Sequence, residues 1–332
     1  MQHAQKNSTL PIREKGKPIT TKVRHNSFEQ IILSLIEWSR EACYRRGNSR
    51  DDQFLPRIDV AVDAQHGLVT IQDNGAGFTR GALRRLMIGE NDETPSLFWI
   101  VAEVLEIHTC AGPGENWRFM GTDTGEYALE PQSAGEQGTR VSLHLNPASA
   151  LLVEPFAVER ILRRTCCLLA IPLYFNHKTL INDMIPPWRR DDLEGTLLDA
   201  YRMDFARAFS NGFPPLCCFP IERVDGIRGL LWVYDHRRQT DEDHRELILF
   251  HYHIEAPQNV PELLPNWATF VGGVVVASNP EGAAPHVGEA LVNGLVSLGH
   301  NRLDLLRAIQ ERHGSALERA ALAAGQELAT VA

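Results

Sequence analysis

From residue 27 onward the chain switches between two hydrophobic periods. Ser27 to Arg46 sets Phe28, Ile31, Ile32, Leu35, Ile36 and Ser39 on one face at helical spacing, with Ser27 placed to cap and Glu29 early in the helix. Asn48 to Gln53 is a polar loop. The period then drops to two: Ile58, Val60 and Val62 alternate as a strand, His66-Gly67 turns the chain, and Leu68 to Gln72 returns beside it as a hairpin. Gly81 to Gly89 reads as a short helix, Glu90 to Pro95 as a turn, and Leu97 to Ala102 as a buried helix. Val104, Glu106 and His108, then Trp117 and Phe119, mark two strands, and Gly138 to Leu145 is a clear alternating strand. Phe156 to Leu169 is helical and Leu173 to Phe175 closes the set. Helices and mostly antiparallel strands in this order predict an α+β sandwich, one sheet with helices on one face.

Pro186-Pro187-Trp188-Arg189-Arg190-Asp191-Asp192 interrupts the pattern and predicts a domain boundary. Beyond it a helix over Leu193 to Phe209 precedes strands at Cys217 to Ile221, Gly229 to Val233, Leu247 to Tyr252 and Thr269 to Val276. A helical segment from Asn301 to Leu328 spaces Leu303, Leu306, Ile309, Leu317 and Leu322 for one apolar face. The predicted organisation is a tail over 1–24, domains over 25–185 and 193–300, and a helical segment over 301–332.

A length of 332 residues with 43% hydrophobic and 23% charged residues suits two ordinary globular domains. The net charge of -9 argues against a nucleic-acid partner, which needs a basic face. Basic residues gather only near the start, at Lys6, Arg13, Lys15, Lys17, Lys22 and Arg24, without the apolar core of a signal peptide. No later run is long enough to span a bilayer, so a cytoplasmic protein with a loose basic tail and no membrane partner is expected. The six cysteines include the neighbours Cys166-Cys167 and Cys217-Cys218 and form no C-x-x-C pair. Buried thiols are expected rather than a disulfide framework or a metal site.

The chemistry concentrates where the first hairpin ends. Val69 to Gln72 runs into Asp73-Asn74-Gly75-Ala76-Gly77-Phe78. This puts a carboxylate at a strand end, beside two glycines whose missing β-carbons would let a flat ligand lie on bare backbone. A carboxylate there can accept from an exocyclic amine such as that of adenine.

Several stretches then resemble, in order, the Hsp90 chaperones of the GHKL ATPase superfamily. Asp73 to Phe78 resembles the family's Asp-x-Gly-x-Gly-Met motif, and Phe98 to Val104 its Phe-Leu-Val-Ala-Asp-Lys-Val segment. Gly138-Thr139 is similar to its Gly-Thr motif and Ala170-Ile171-Pro172-Leu173 to its Gly-Tyr-Pro-Ile strand. Phe219 to Glu222, Gly226 to Leu231, Glu262 to Trp267 and Phe270 to Val275 resemble the family's middle domain, which other GHKL proteins such as MutL and the histidine kinases lack. The resemblance implies a GHKL α/β sandwich followed by an Hsp90-like middle α/β domain. It also implies a nucleotide pocket at Asp73, Asn74, Gly75, Gly77, Gly138 and Thr139.

The phosphate end departs from the family. Its first helix carries Glu-x-x-x-Asn, the Glu polarising the attacking water and the Asn helping to hold Mg²⁺. Here Ser34 and Trp38 occupy those positions, and neither a neutral hydroxyl nor an indole can do that work. The phosphate-cradling Gly-x-Gly-Phe turn corresponds to Asp92-Glu93-Thr94-Pro95, acidic and short of a backbone donor. In the middle domain Gly288 stands where the family has an arginine that reaches the γ-phosphate. The segment between Phe78 and Phe98 is shorter than the family's ATP lid. The middle-domain resemblance fades near Glu289, and a C-terminal dimerisation domain of the family's kind is not expected.

These departures predict an Hsp90-like scaffold for a protein client or partner, with a degenerate ATP site and no catalytic residues. Its pocket is expected to stand empty or to hold ATP or ADP weakly, without Mg²⁺. The competing expectation is a divergent ATP-dependent chaperone using Glu37 or Glu41 as a substitute base. A third is an unrelated enzyme using His108, His144 or Cys110, residues that packing in strands also explains.

Overall fold

The computed structural model describes residues 25–48, 53–88, 94–133, 135–151, 153–210, 214–224, 226–235, 245–251, 257–277 and 282–324. The chain divides into two compact units between Asp183 and Met184. The proline-rich stretch from Pro186 therefore belongs to the second unit, where Trp188 packs edge-on against Phe205 at 5.6 Å.

The first unit runs α1 (His25–Gly47), β1 (Ile58–Asp63), β2 (Leu68–Asp73), α2 (Arg80–Ile88), α3 (Thr94–Val101), β3 (Ala102–Cys110), β4 (Asn116–Thr122), β5 (Tyr127–Pro131), β6 (Gly138–Leu145), α4 (Pro147–Ala150), α5 (Pro155–Cys166), β7 (Leu173–Phe175) and β8 (Thr179–Leu180). Its strands form one mixed sheet in the order β5-β4-β3-β6-β2-β1-β7-β8. Neighbours are antiparallel except β1 and β7, which run parallel. The period-2 pattern decides the faces: Val69 and Ile71 of β2 are buried, as are Leu105 and Ile107 of β3 and Val141 and Leu143 of β6. Against that face α1 lays Ile31, Ile32, Leu35 and Ile36, each buried. Each such side chain contributes about 1.5–3 kcal/mol on leaving water. Arg45 and Arg46 close the last turn of α1, where cations suit the helix dipole.

The second unit continues with a 3₁₀ turn (Pro187–Arg189), α6 (Gly195–Phe209), β9 (Pro215–Val224), β10 (Ile227–Tyr234), β11 (Glu246–His251), β12 (Gln258–Asn259), β13 (Val271–Ala277), α7 (Ala283–Asn301) and α8 (Leu303–Ala324). Its sheet has the order β12-β11-β13-β10-β9, with β11 and β13 parallel. Phe219, Leu231, Leu247, Leu249 and Val275 pack with Val287, Leu291 and Leu295 of α7 and Ile309 and Leu317 of α8 in one core. Phe250, of opposite parity, meets Phe209 of α6 at 6.2 Å on the other face.

Two sequence expectations change here. The long helix α7 has no counterpart in the sequence reading, because Pro285, Gly288 and Gly294 mask its period. Pro285 is the third residue of the helix, before its ladder needs an N–H. Gly294 is required by packing, since a β-carbon there would run into the Phe219 ring. The helical segment expected from Asn301 starts instead at Leu303 after a break at Arg302, and it belongs to the second unit's core.

Candidate functional site

Asp73 ends β2 opposite Thr139 of β6 and Ile58 of β1, in the middle of the first sheet. Its carboxylate is buried, 6% exposed, and accepts from the Gly75 N–H at 2.8 Å, from the Ser39 hydroxyl on α1 and from the Thr139 N–H. Burial pushes Asp73 up to about 6 and these donors pull it back. A carboxylate held this way is poised near neutrality and ties the hairpin end to α1 and β6.

The glycines that follow are set against protein backbone. Gly77 has φ +69, and a β-carbon on it would collide with the carbonyl of Cys110. A β-carbon on Gly75 would strike the backbone of Ala42 and Cys43 in α1, and the Ala76 N–H donates to the Ala42 carbonyl at 2.9 Å. The bare backbone expected to face a flat ligand is therefore covered at both glycines by α1 and β3. Gly138, with φ +139, likewise lies against the Asp73 carbonyl.

Asn74 turns to the other side of its loop. Its Oδ1 accepts from the Arg57 N–H and its Nδ2 donates to the Leu55 carbonyl, both at 2.8 Å. This clamps the segment that leads into β1. Thr139 is buried and its hydroxyl lies 3.0 Å from that of Thr109. The Thr109 Oγ1 also accepts from the Phe78 N–H at 2.7 Å, holding the end of the glycine loop.

Thr109 and Ser39 do site work that sequence reasoning assigned to neither. The signal was present in each pattern: Thr109 is the hydroxyl that follows Leu105 and Ile107 on the inward side of β3, and Ser39 the hydroxyl in the apolar face of α1. Neither pattern says that Ser39 donates to Asp73 or that Thr109 meets Thr139 and the Phe78 N–H.

In the middle of α1, next to Ser39, half-buried Trp38 meets Phe98 edge-on at 5.7 Å and Phe78 at 6.4 Å. Ser34 is exposed one turn earlier. Glu37 takes the Arg40 guanidinium, with Nε 2.8 Å from its Oε2, and Glu41 is exposed. Asp92 and Glu93 lie outside the described residues, and α3 begins at Thr94. Gly288 lies in α7, where a β-carbon would meet nothing nearer than Pro265 Cγ at 3.9 Å. His108 and His144 lie toward opposite ends of the outward side of the sheet, while Cys110 is buried. Among the described residues no cluster of His, Cys, Asp or Glu is placed to hold a metal, and no helix is long and apolar enough to cross a membrane.

The first unit is thus an α+β domain on a mixed sheet, with a buried aspartate and a glycine loop at the end of a central strand, compatible with an Hsp90-like N-terminal domain. Similarity to curated proteins points the same way. The chain is 26% identical to the chaperone protein HtpG of Methylorubrum extorquens over 234 residues, which cover 64% of this chain and 37% of that protein. It is 22% identical to the mitochondrial TNF receptor-associated protein 1 homolog of Dictyostelium discoideum, over 72% of this chain and 38% of that protein. It is 21% identical to the mitochondrial heat shock protein 75 kDa of Rattus norvegicus, over 77% of this chain and 41% of that protein. No protein-family model matches. The chain is thus similar to chaperones of the Hsp90 family at low identity, and these matches span about two fifths of those relatives' length.

Proposed function

We propose that this chain is a chaperone-related protein of the Hsp90 family that acts by binding protein clients or partners and does not hydrolyse ATP. The observation that carries the reading is Trp38, wedged against Phe78 and Phe98 at the position that the family resemblance assigns to a Mg²⁺-holding asparagine. An indole edge offers a hard cation no oxygen. The exposed Ser34 at the position of the water-polarising glutamate supports the same conclusion, as does Gly288 at the arginine position. Glu37, already paired with Arg40, is a poor substitute base. The second unit is then an Hsp90-like middle domain and the first a GHKL sandwich.

What favours a residual role for nucleotide is Asp73, which keeps its carboxylate beside Ser39 and Thr139. Weak binding of ATP or ADP through adenine alone, without Mg²⁺, fits that arrangement. Calorimetry with ATP, ADP and AMP, each with and without Mg²⁺, tests both parts, alongside a phosphate-release assay. The expected result is no turnover, with weak or no binding that is equal for the three nucleotides and indifferent to Mg²⁺. Preference for Mg²⁺-ATP with turnover that Asp73→Asn abolishes would replace this reading with that of a working ATPase.

A further inference from the structure

The outward side of the first sheet carries a row of side chains in register across its central strands. Asp59 pairs with Gln72, Gln72 with Arg140, Arg140 with His108 and His108 with Arg118. Most charges in this row are matched. Arg57 donates to both carboxylate oxygens of Asp59 at 2.6 and 2.8 Å. Arg118 donates to Glu106 at 2.6 Å, and His108 bridges Glu106 and Gln132.

Arg140 differs. Its Nε and Nη2 both donate to the Gln72 amide oxygen, at 3.0 and 2.8 Å, and among the described residues it has no carboxylate partner. The amide orients the guanidinium without neutralising it, and Nη1 is left uncommitted. Beside it opens a cavity of about 320 Å³, bordered by the ends of β2, β3 and β6 and by the residues that lead into β6, with Asn116 and Gln137 among its polar lining. Asp73 borders it too, but its carboxylate is turned to Ser39 of α1 on the inward side of the sheet. Glu136 is exposed in the same lining and disfavours a multiply charged anion there.

We propose that this cleft is a binding site for a single carboxylate group, held by Arg140 and flanked by amide side chains. A planar guanidinium pre-set by a neutral amide matches the two oxygens of a carboxylate. The volume suits a small organic acid or the last residues of a peptide. The site lies on the outward side of the sheet from the Trp38 cluster and does not depend on whether nucleotide binds.

The test is titration of the ¹⁵N-labelled protein with acetate, N-acetyl-triglycine and the C-terminal amide of N-acetyl-triglycine, following the Arg140 Nε–H and Gln72 amide resonances. Saturable shifts with a carboxylate and none with the amide are expected. Arg140→Gln should weaken binding by about tenfold or more and Arg140→Lys by less, while Arg118→Gln, on the paired neighbour, should leave it unchanged. Tighter binding of the tripeptide acid than of acetate assigns the site to peptide ends, and equal binding assigns it to small acids. Shifts that never saturate, that the amide reproduces, or that persist in a folded Arg140→Gln protein would overturn the proposal.

Discussion

Trp38 and Phe98 lie edge to face with ring centroids 5.7 Å apart, joining the first helix to the helix that precedes the third strand. Such a pair adds about 0.5–1.5 kcal/mol beyond the area it buries. On the reading proposed above, this aromatic contact occupies the position of a metal-holding amide in the family pattern.

Trp38→Ala is expected to destabilise the first unit by about 2–3 kcal/mol, below the roughly 3–5 kcal/mol of a fully buried aromatic truncation because the ring is only half-buried. Urea unfolding followed by circular dichroism measures this. Trp38→Asn should lose similar stability and gain no ATP hydrolysis, because Ser34 supplies no base.

The glycines separate into required and unrequired positions. Gly77→Ala combines a positive φ with a collision against backbone and should cost about 3 kcal/mol or more, or abolish folding. Gly288→Ala, inside a helix with open space around it, should stabilise by about 0.5–1 kcal/mol. Opposite shifts in thermal midpoint are the readout.

Asp73 makes stability depend on pH in an uncommon direction for a carboxylate. Its folded value of about 6 lies above the ordinary 3.8. Between those values the folded chain holds a proton that the unfolded chain has released, so stability falls as pH rises from about 4 to about 6 and then levels. Asp73→Asn removes this titration. Urea midpoints measured across that window should slope downward in the parent protein and flatten in the variant; an unchanged slope would locate the titration elsewhere.

Thr109→Val keeps the shape of the side chain and deletes the acceptor of the Phe78 N–H. Leaving a part-buried amide unpaired costs about 1–3 kcal/mol. Faster hydrogen exchange at Phe78 than in the parent is the specific signature expected, along with a lower unfolding midpoint.

Much of the fold was legible along the chain because hydrophobic period is a local property. The alternation through Val69 and Ile71, and the helical stripe from Phe28 to Ile36, need no knowledge of distant residues. The short edge strands β5, β8 and β12 carry too few alternating positions to announce themselves. The helix α7 was hidden by glycines and a proline whose tolerance depends on where the helix begins and on which ring lies against Gly294.

By itself the sequence determined the strand that ends at Asp73 and the glycine loop after it. Tertiary structure alone decided what those residues face. Strand order β3-β6-β2 brings Thr109 and Cys110 to the glycine loop, and the packing of α1 brings Ser39, Ala42 and Cys43 to its other side. It likewise sets Asn74 on the segment before β1 and leaves Arg140 beside a neutral amide. Those partners lie far apart along the chain, and a two-residue period says which side of a strand a residue takes but not which strand lies next to it.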